Sequence, residues 1–92
     1  MKIPIRSIVL AEQATKSVVI IDADTYQKVW SWNAVQAGVP AEHQIWFTNP
    51  SEVKPVYNSQ YILMTASGGA VALIRIADSK LMYYAQVGSN PH

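Results

Sequence analysis

Two histidines, a few carboxylates, one embedded arginine and a set of aromatic side chains are the groups in this 92-residue chain with the means to do chemistry. His43 and His92 are the only histidines, and imidazoles brought together can hold a metal or exchange protons near neutral pH. The plainer reading makes each a turn residue, one beside Glu42 and the other beside Pro91. Glu42 and His43 form no acid–base pair if they lie on a strand, because neighbours there point to opposite faces. Asp22, Asp24 and Asp78 lack the oxygen-donor spacing and glycine of a calcium loop and are expected to cap turns. Arg75 interrupts the apolar run Leu73–Ile76, so it either reaches solvent or meets an anion. Trp46 is a candidate ligand contact, and Trp30, Trp32, Tyr83 and Tyr84 are expected to pack in the core or at an interface. Together these aromatics would form a carbohydrate-stacking platform if they were exposed. Ser67-Gly68-Gly69 opens no phosphate loop, and neither a nucleophile elbow nor a zinc-protease motif occurs. The site residues therefore reduce to four binding candidates, His43, His92, Arg75 and Trp46, with no catalytic set and no metal set.

The elements that must position these groups repeat once. Ser7–Ala11, Val18–Asp24 and Lys28–Trp32 form a three-step unit, and Tyr61–Ala66, Ala72–Asp78 and Lys80–Tyr84 form it again. Asp24 falls on Asp78 and Leu10 on Met64 at an offset of 54, while Lys28 falls on Lys80 at 52, because the second unit has the shorter turn. The short β-branched runs predict strands with at least one buried face. In Lys28–Trp32 the alternation places Val29 and Ser31 on one face and Lys28, Trp30 and Trp32 on the other. Unit one spans about 7–32 and unit two about 61–87, separated by a connection over 33–60 that carries three of the five prolines. Within it Gln44–Phe47 is expected as a strand, Val53–Val56 as an extended edge limited by proline, and Trp32–Gln36 as a helical turn ended by Gly38. About seven strands and little helix follow.

Composition narrows the function classes. Half the residues are apolar and 14% are charged, which is a folded chain. Seven basic side chains against six acidic leave a net charge of +1, and the basic ones are scattered, so nucleic acid is an unsupported partner. The absence of cysteine excludes disulfides and thiolate chemistry, and no cofactor is called for. No run approaches the length of a membrane span, and Ile8–Ala11 is too short for a signal-peptide core.

Asp24 and Asp78, each after an apolar strand and before a strand opening on lysine, together with the tail Val87-Gly-Ser-Asn-Pro-His92, resemble the repeat of YVTN-type and quinoprotein-like β-propellers. The stretch from Asn49–Asn58 through Val87–His92 is also similar to an uncharacterised secreted propeller-like family of Bacteroidetes type. The resemblance implies four-stranded antiparallel blades, about two and incomplete, read as strands B-C-D followed by A-B-C-D. It implies a secreted or periplasmic setting, and it places His43 and His92 near the mouth of a central channel, where copies of a ring would bring them together. So few strands are expected either to belong to a longer propeller or to be completed by self-association through open sheet edges. The expected function is a non-enzymatic blade module acting as a binding scaffold. The competing expectation is a hydrolase or lyase acting on a carbohydrate-like or lactone-like ligand through channel-mouth histidines. The alternative architecture is a small β-sandwich whose repeat marks an old duplication.

Overall fold

The computed structural model describes residues 6–87. Seven strands make up most of it: β1 (Ser7–Glu12), β2 (Ser17–Asp22), β3 (Lys28–Trp32), β4 (Pro50–Val56), β5 (Tyr61–Ala66), β6 (Ala70–Arg75) and β7 (Lys80–Gln86). They form two antiparallel meanders, a three-stranded sheet in the order β1-β2-β3 and a four-stranded sheet in the order β4-β5-β6-β7. The chain is all-β, and its strand order is that of the two sequence units. Pro50 and Pro55 lie in the edge strand β4, where the missing N–H groups cost the ladder least.

Strand alternation builds the core. Ile62, Met64 and Ala66 of β5 and Ala70, Ala72 and Ile74 of β6 are buried, while their sequence neighbours are only half-buried. Val18, Ile20, Trp30 and Trp32 of the first sheet cover this face, with Ala34, Val39 and Phe47 closing one end. Between the sheets the backbone contacts fall mainly where β1 runs beside β4. Large side chains from β3, β7 and the connection (Trp30, Trp32, Tyr84, Trp46 and Phe47) pack around the same core.

The two units superpose through their bulges. Ile20 pairs with Trp30 and Ile21 with Lys28, leaving Val29 as the extra residue; Leu73 pairs with Tyr83 and Ile74 with Leu81, leaving Met82. A second pair of contacts fixes the same alignment: the Ala23 N–H donates to the Arg6 carbonyl at 2.8 Å and the Ile76 N–H to the Gln60 carbonyl at 3.1 Å. Ile20 therefore corresponds to Leu73, Val18 to Val71, Val9 to Leu63 and Trp30 to Tyr83. Leu10 does fall on Met64, but Asp24 does not fall on Asp78.

The face that the first sheet turns inward (Val9, Val18, Ile20 and Trp30) corresponds to the outward face of the second sheet, which carries Leu63, Val71, Leu73 and Tyr83. The sheets are stacked front to back, in the manner of successive steps, rather than with equivalent faces together.

The connection corrects the expected strand at Gln44–Phe47. Ala41–Gln44 is a short α-helix, α1, and Ile45–Phe47 continues it as a 3₁₀ turn before Thr48 returns to extended backbone. Pro40 sets the entry with φ −54°, and alanine, glutamate and glutamine follow it, so three apolar residues do not suffice to impose a strand. The expected helical turn begins one residue late. Trp32 ends β3, the Asn33 Oδ1 accepts from the Gln36 N–H at 2.9 Å, and Gly38 leaves the turn with φ +82°. The bulge at Val29 also separates Lys28 from the tryptophans: Lys28 is exposed opposite Ile21, whereas Trp30 and Trp32 are buried.

Candidate functional site

One end of the stacked sheets gathers the turn Gln13–Lys16, the connection Asn33–Asn49 and the turn Ser67–Gly69. Gln13 Nε2 donates to the Pro50 carbonyl, and Ser67 Oγ donates to the Thr48 carbonyl at 3.3 Å. Gly68 lies so close to the 3₁₀ turn that a Cβ there would stand 2.7 Å from the Trp46 carbonyl oxygen. The Ser67–Gly69 turn thus packs against the helical segment, and Gln13 ties the β1–β2 turn to the start of β4.

His43, on α1, is part of an aromatic cluster at this end. Its ring stacks on Trp46 at a centroid distance of 4.1 Å and 17° between planes, and Nδ1 lies 2.8 Å from the Tyr84 hydroxyl. Phe47 adds a tilted contact with Tyr84 at 5.7 Å and another with Trp32 at 5.9 Å. His43 and Trp46 are both half-buried, so Trp46 is joined to the imidazole rather than presented as an open platform. Glu42 and His43 are neighbours on a helix instead of a strand, and Glu42 is exposed beside the cluster. Among the described residues no group of three or more metal-ligating side chains comes together. His92 lies outside the described residues.

The remaining candidates separate. Arg75 is on the outward face of the second sheet and forms a two-pronged ion pair with Asp78, Nε to Oδ1 at 3.0 Å and Nη2 to Oδ2 at 2.6 Å. The guanidinium holds the Asp78 carboxyl down at about 2 and is itself raised above its usual range. Its charge is therefore met within the chain. Asp78 also accepts from the Lys80 N–H at 3.3 Å, closing its own turn. In the first unit the cap is Asp22, whose Oδ1 accepts from the Asp24 N–H at 2.8 Å, while Asp24 instead meets Arg6 at 3.0 Å. Trp30 and Trp32 are core side chains, Tyr84 is half-buried in the cluster, and Tyr83 is 62% exposed and fills no space within this chain.

The residues overlooked in the sequence line a cleft of about 520 Å³ beside the cluster. Thr15 and Lys16 come from the β1–β2 turn, Asn33–Gln36 from the turn after β3, and Ala41, Gln44, Ile45, Phe47 and Thr48 from the helical segment. Polar residues on three separated segments carry no motif. Lys16 holds φ +56° in the structure, as several other turn residues hold positive φ, and nothing in the residue types marks it.

Two stacked antiparallel meanders joined by a short helical connection, with an aromatic cluster and a cleft at one end, define an all-β protein of repeated sheet units. The chain belongs to a family of unknown function, DUF6528, matched over residues 1–92. No curated protein and no solved structure matches it.

Proposed function

We propose that this chain is a β-propeller-type blade module that acts as a non-enzymatic binding scaffold and assembles with further copies of itself. The observation that carries the reading is the front-to-back stacking of its two sheets. In such an arrangement the second sheet turns outward the counterpart of the face by which the first sheet covers it: Leu63, Val71, Leu73 and Tyr83 in place of Val9, Val18, Ile20 and Trp30. The outward face of the first sheet, with Ile8 and Leu10, is likewise the counterpart of the covered face that carries Ile62 and Met64. Each outward face is thus of the kind the other covers, with Val19 beside Leu10 already fully buried, and this is the condition for head-to-tail addition, which makes a ring where the rotation between copies closes. The edge strand β7, with no proline, offers a second route to association through backbone pairing.

The experiment is molar mass in solution by light scattering, for the wild-type chain and for Leu10→Glu and Leu73→Glu. Head-to-tail stacking predicts a discrete multimer for the wild type and a monomer for each variant alone. Mixing the two variants then gives a dimer, because each retains the face the other lacks. A wild-type chain that stays monomeric at every concentration refutes self-assembly. Unchanged mass in both variants refutes the assigned faces.

A further inference from the structure

We infer that the cleft between the β1–β2 turn, the turn after β3 and the helical segment is a binding site for a small sugar acid, a hydroxylated ring bearing one carboxylate. Its volume of about 520 Å³ lies in the range of small-molecule sites. Its lining combines three features that select this chemistry.

The first is charge. Lys16 is the only charged side chain in the lining, and it forms no ion pair among the described residues. The acid nearest in sequence is already engaged: Glu12 accepts from the Thr15 hydroxyl at 2.6 Å and pairs with Lys28 at 3.3 Å. Lys16 sits at φ +56°, closed by its own N–H to the Gln13 carbonyl at 3.2 Å, so the turn holds an ammonium at the cleft in a costly conformation. A single cation suits a single carboxylate.

The second is a set of oriented amides. Asn33 Oδ1 is occupied by the Gln36 N–H at 2.9 Å, and Gln44 Nε2 by the Val39 carbonyl at 2.9 Å. Each bond fixes the amide and leaves the other end, Asn33 Nδ2 as donor and Gln44 Oε1 as acceptor, to meet ligand hydroxyls. The Gln36 side chain and the Thr48 hydroxyl add donors and acceptors, and the Thr15 hydroxyl, which donates to Glu12, keeps its acceptor lone pairs.

The third is apolar surface held at the cleft. Val35 and Ile45 are 66% and 69% exposed, and buried Ala34 and Phe47 lie behind them. Two large exposed aliphatic residues on one cleft offer contact for the C–H faces of a ring. A fully charged ligand would gain nothing from them.

The test is a titration followed by amide NMR, with D-glucuronate, D-glucose and benzoate as probes. The site predicts saturable shifts of the Lys16, Gln36 and Gln44 amides with glucuronate, and clearly weaker binding of both glucose and benzoate. Lys16→Gln weakens glucuronate about tenfold or more while leaving amides outside the cleft unmoved, as loss of a charge-assisted hydrogen bond requires. Gln36→Ala, in an exposed turn, weakens it by a smaller factor and serves as a second variant. Absence of saturable shifts with glucuronate, benzoate binding as tightly as glucuronate, or an unchanged affinity in Lys16→Gln overturns the inference.

Discussion

Ile20 and Leu73 occupy the same place in their two units, and truncating each to alanine separates the stacking argument from a simple repeat. Both sit at the bulge, each opposite an aromatic residue of the third strand, Trp30 or Tyr83. Ile20 is completely buried against the second sheet, whereas Leu73 is half-buried on the outward face. Removing a buried isoleucine side chain costs about 2–5 kcal/mol, with the upper part expected where the surroundings cannot collapse onto the gap. At Ile20 the neighbours are Trp30, Trp32 and the paired second sheet, which are too constrained to fill it, so we expect about 3–4 kcal/mol. At Leu73 part of the side chain is already in water, so the isolated chain should lose less, about 1–2 kcal/mol, by the same transfer term. If a further copy covers that face, the Leu73→Ala penalty grows with protein concentration, because binding to the folded state adds to apparent stability by mass action. The assay is urea denaturation of wild type, Ile20→Ala and Leu73→Ala at about 2 μM and about 200 μM, with the midpoint read at each. The Ile20→Ala penalty should be the same at both concentrations to within error, and the Leu73→Ala penalty should rise. Equal penalties at the two positions at low concentration would refute the front-to-back alignment. A Leu73→Ala penalty independent of concentration would refute the covered-face reading.

Three further outcomes are expected. Gly68→Ala should lower stability by about 1–3 kcal/mol through overpacking, since the added Cβ meets the rigid backbone of the 3₁₀ turn; a thermal midpoint equal to wild type would contradict that contact. Trp30 Nε1 donates to Ser79 Oγ at 3.0 Å, whereas Trp32 Nε1 is buried with no partner among the described residues; Trp32→Phe should therefore cost less than Trp30→Phe, by about 1–3 kcal/mol, in matched denaturation curves. Asp78 has its carboxyl held near 2 by Arg75, below its ordinary value of 3.8, so its contribution is complete above that value and is lost as pH falls through about 2. Asp78→Asn should accordingly flatten the acid limb of the stability–pH curve, and an unaltered limb would show that the pair does not form in solution.

The sequence by itself determined the all-β class and the six strands of the two repeated units, because period-2 alternation and β-branched runs are local properties of the chain. The proline-limited edge at β4 was equally legible, since a missing N–H is chemistry carried by the residue. What only the tertiary structure decided was which face of each strand is covered. Asp24 and Asp78 are identical letters after similar runs, yet aligning them misplaces the second strand by one residue, and a slip of one residue exchanges the faces of a strand. The bulges at Val29 and Met82 settle the alignment, and they arise from pairing between strands rather than from any residue type. The helical segment at Ala41–Phe47 replaced an expected strand because Pro40 and a few good helix formers outweigh three apolar residues, and because the hairpin turn at Gly68 packs against its backbone. His43 gained its partners the same way: Trp46 is close in sequence, but Tyr84 reaches it only when β7 folds back beside the connection. The cleft joins Lys16, Gln36 and Gln44, each ordinary in its own segment, and only the packing of three turns at one end of the sheets makes them neighbours.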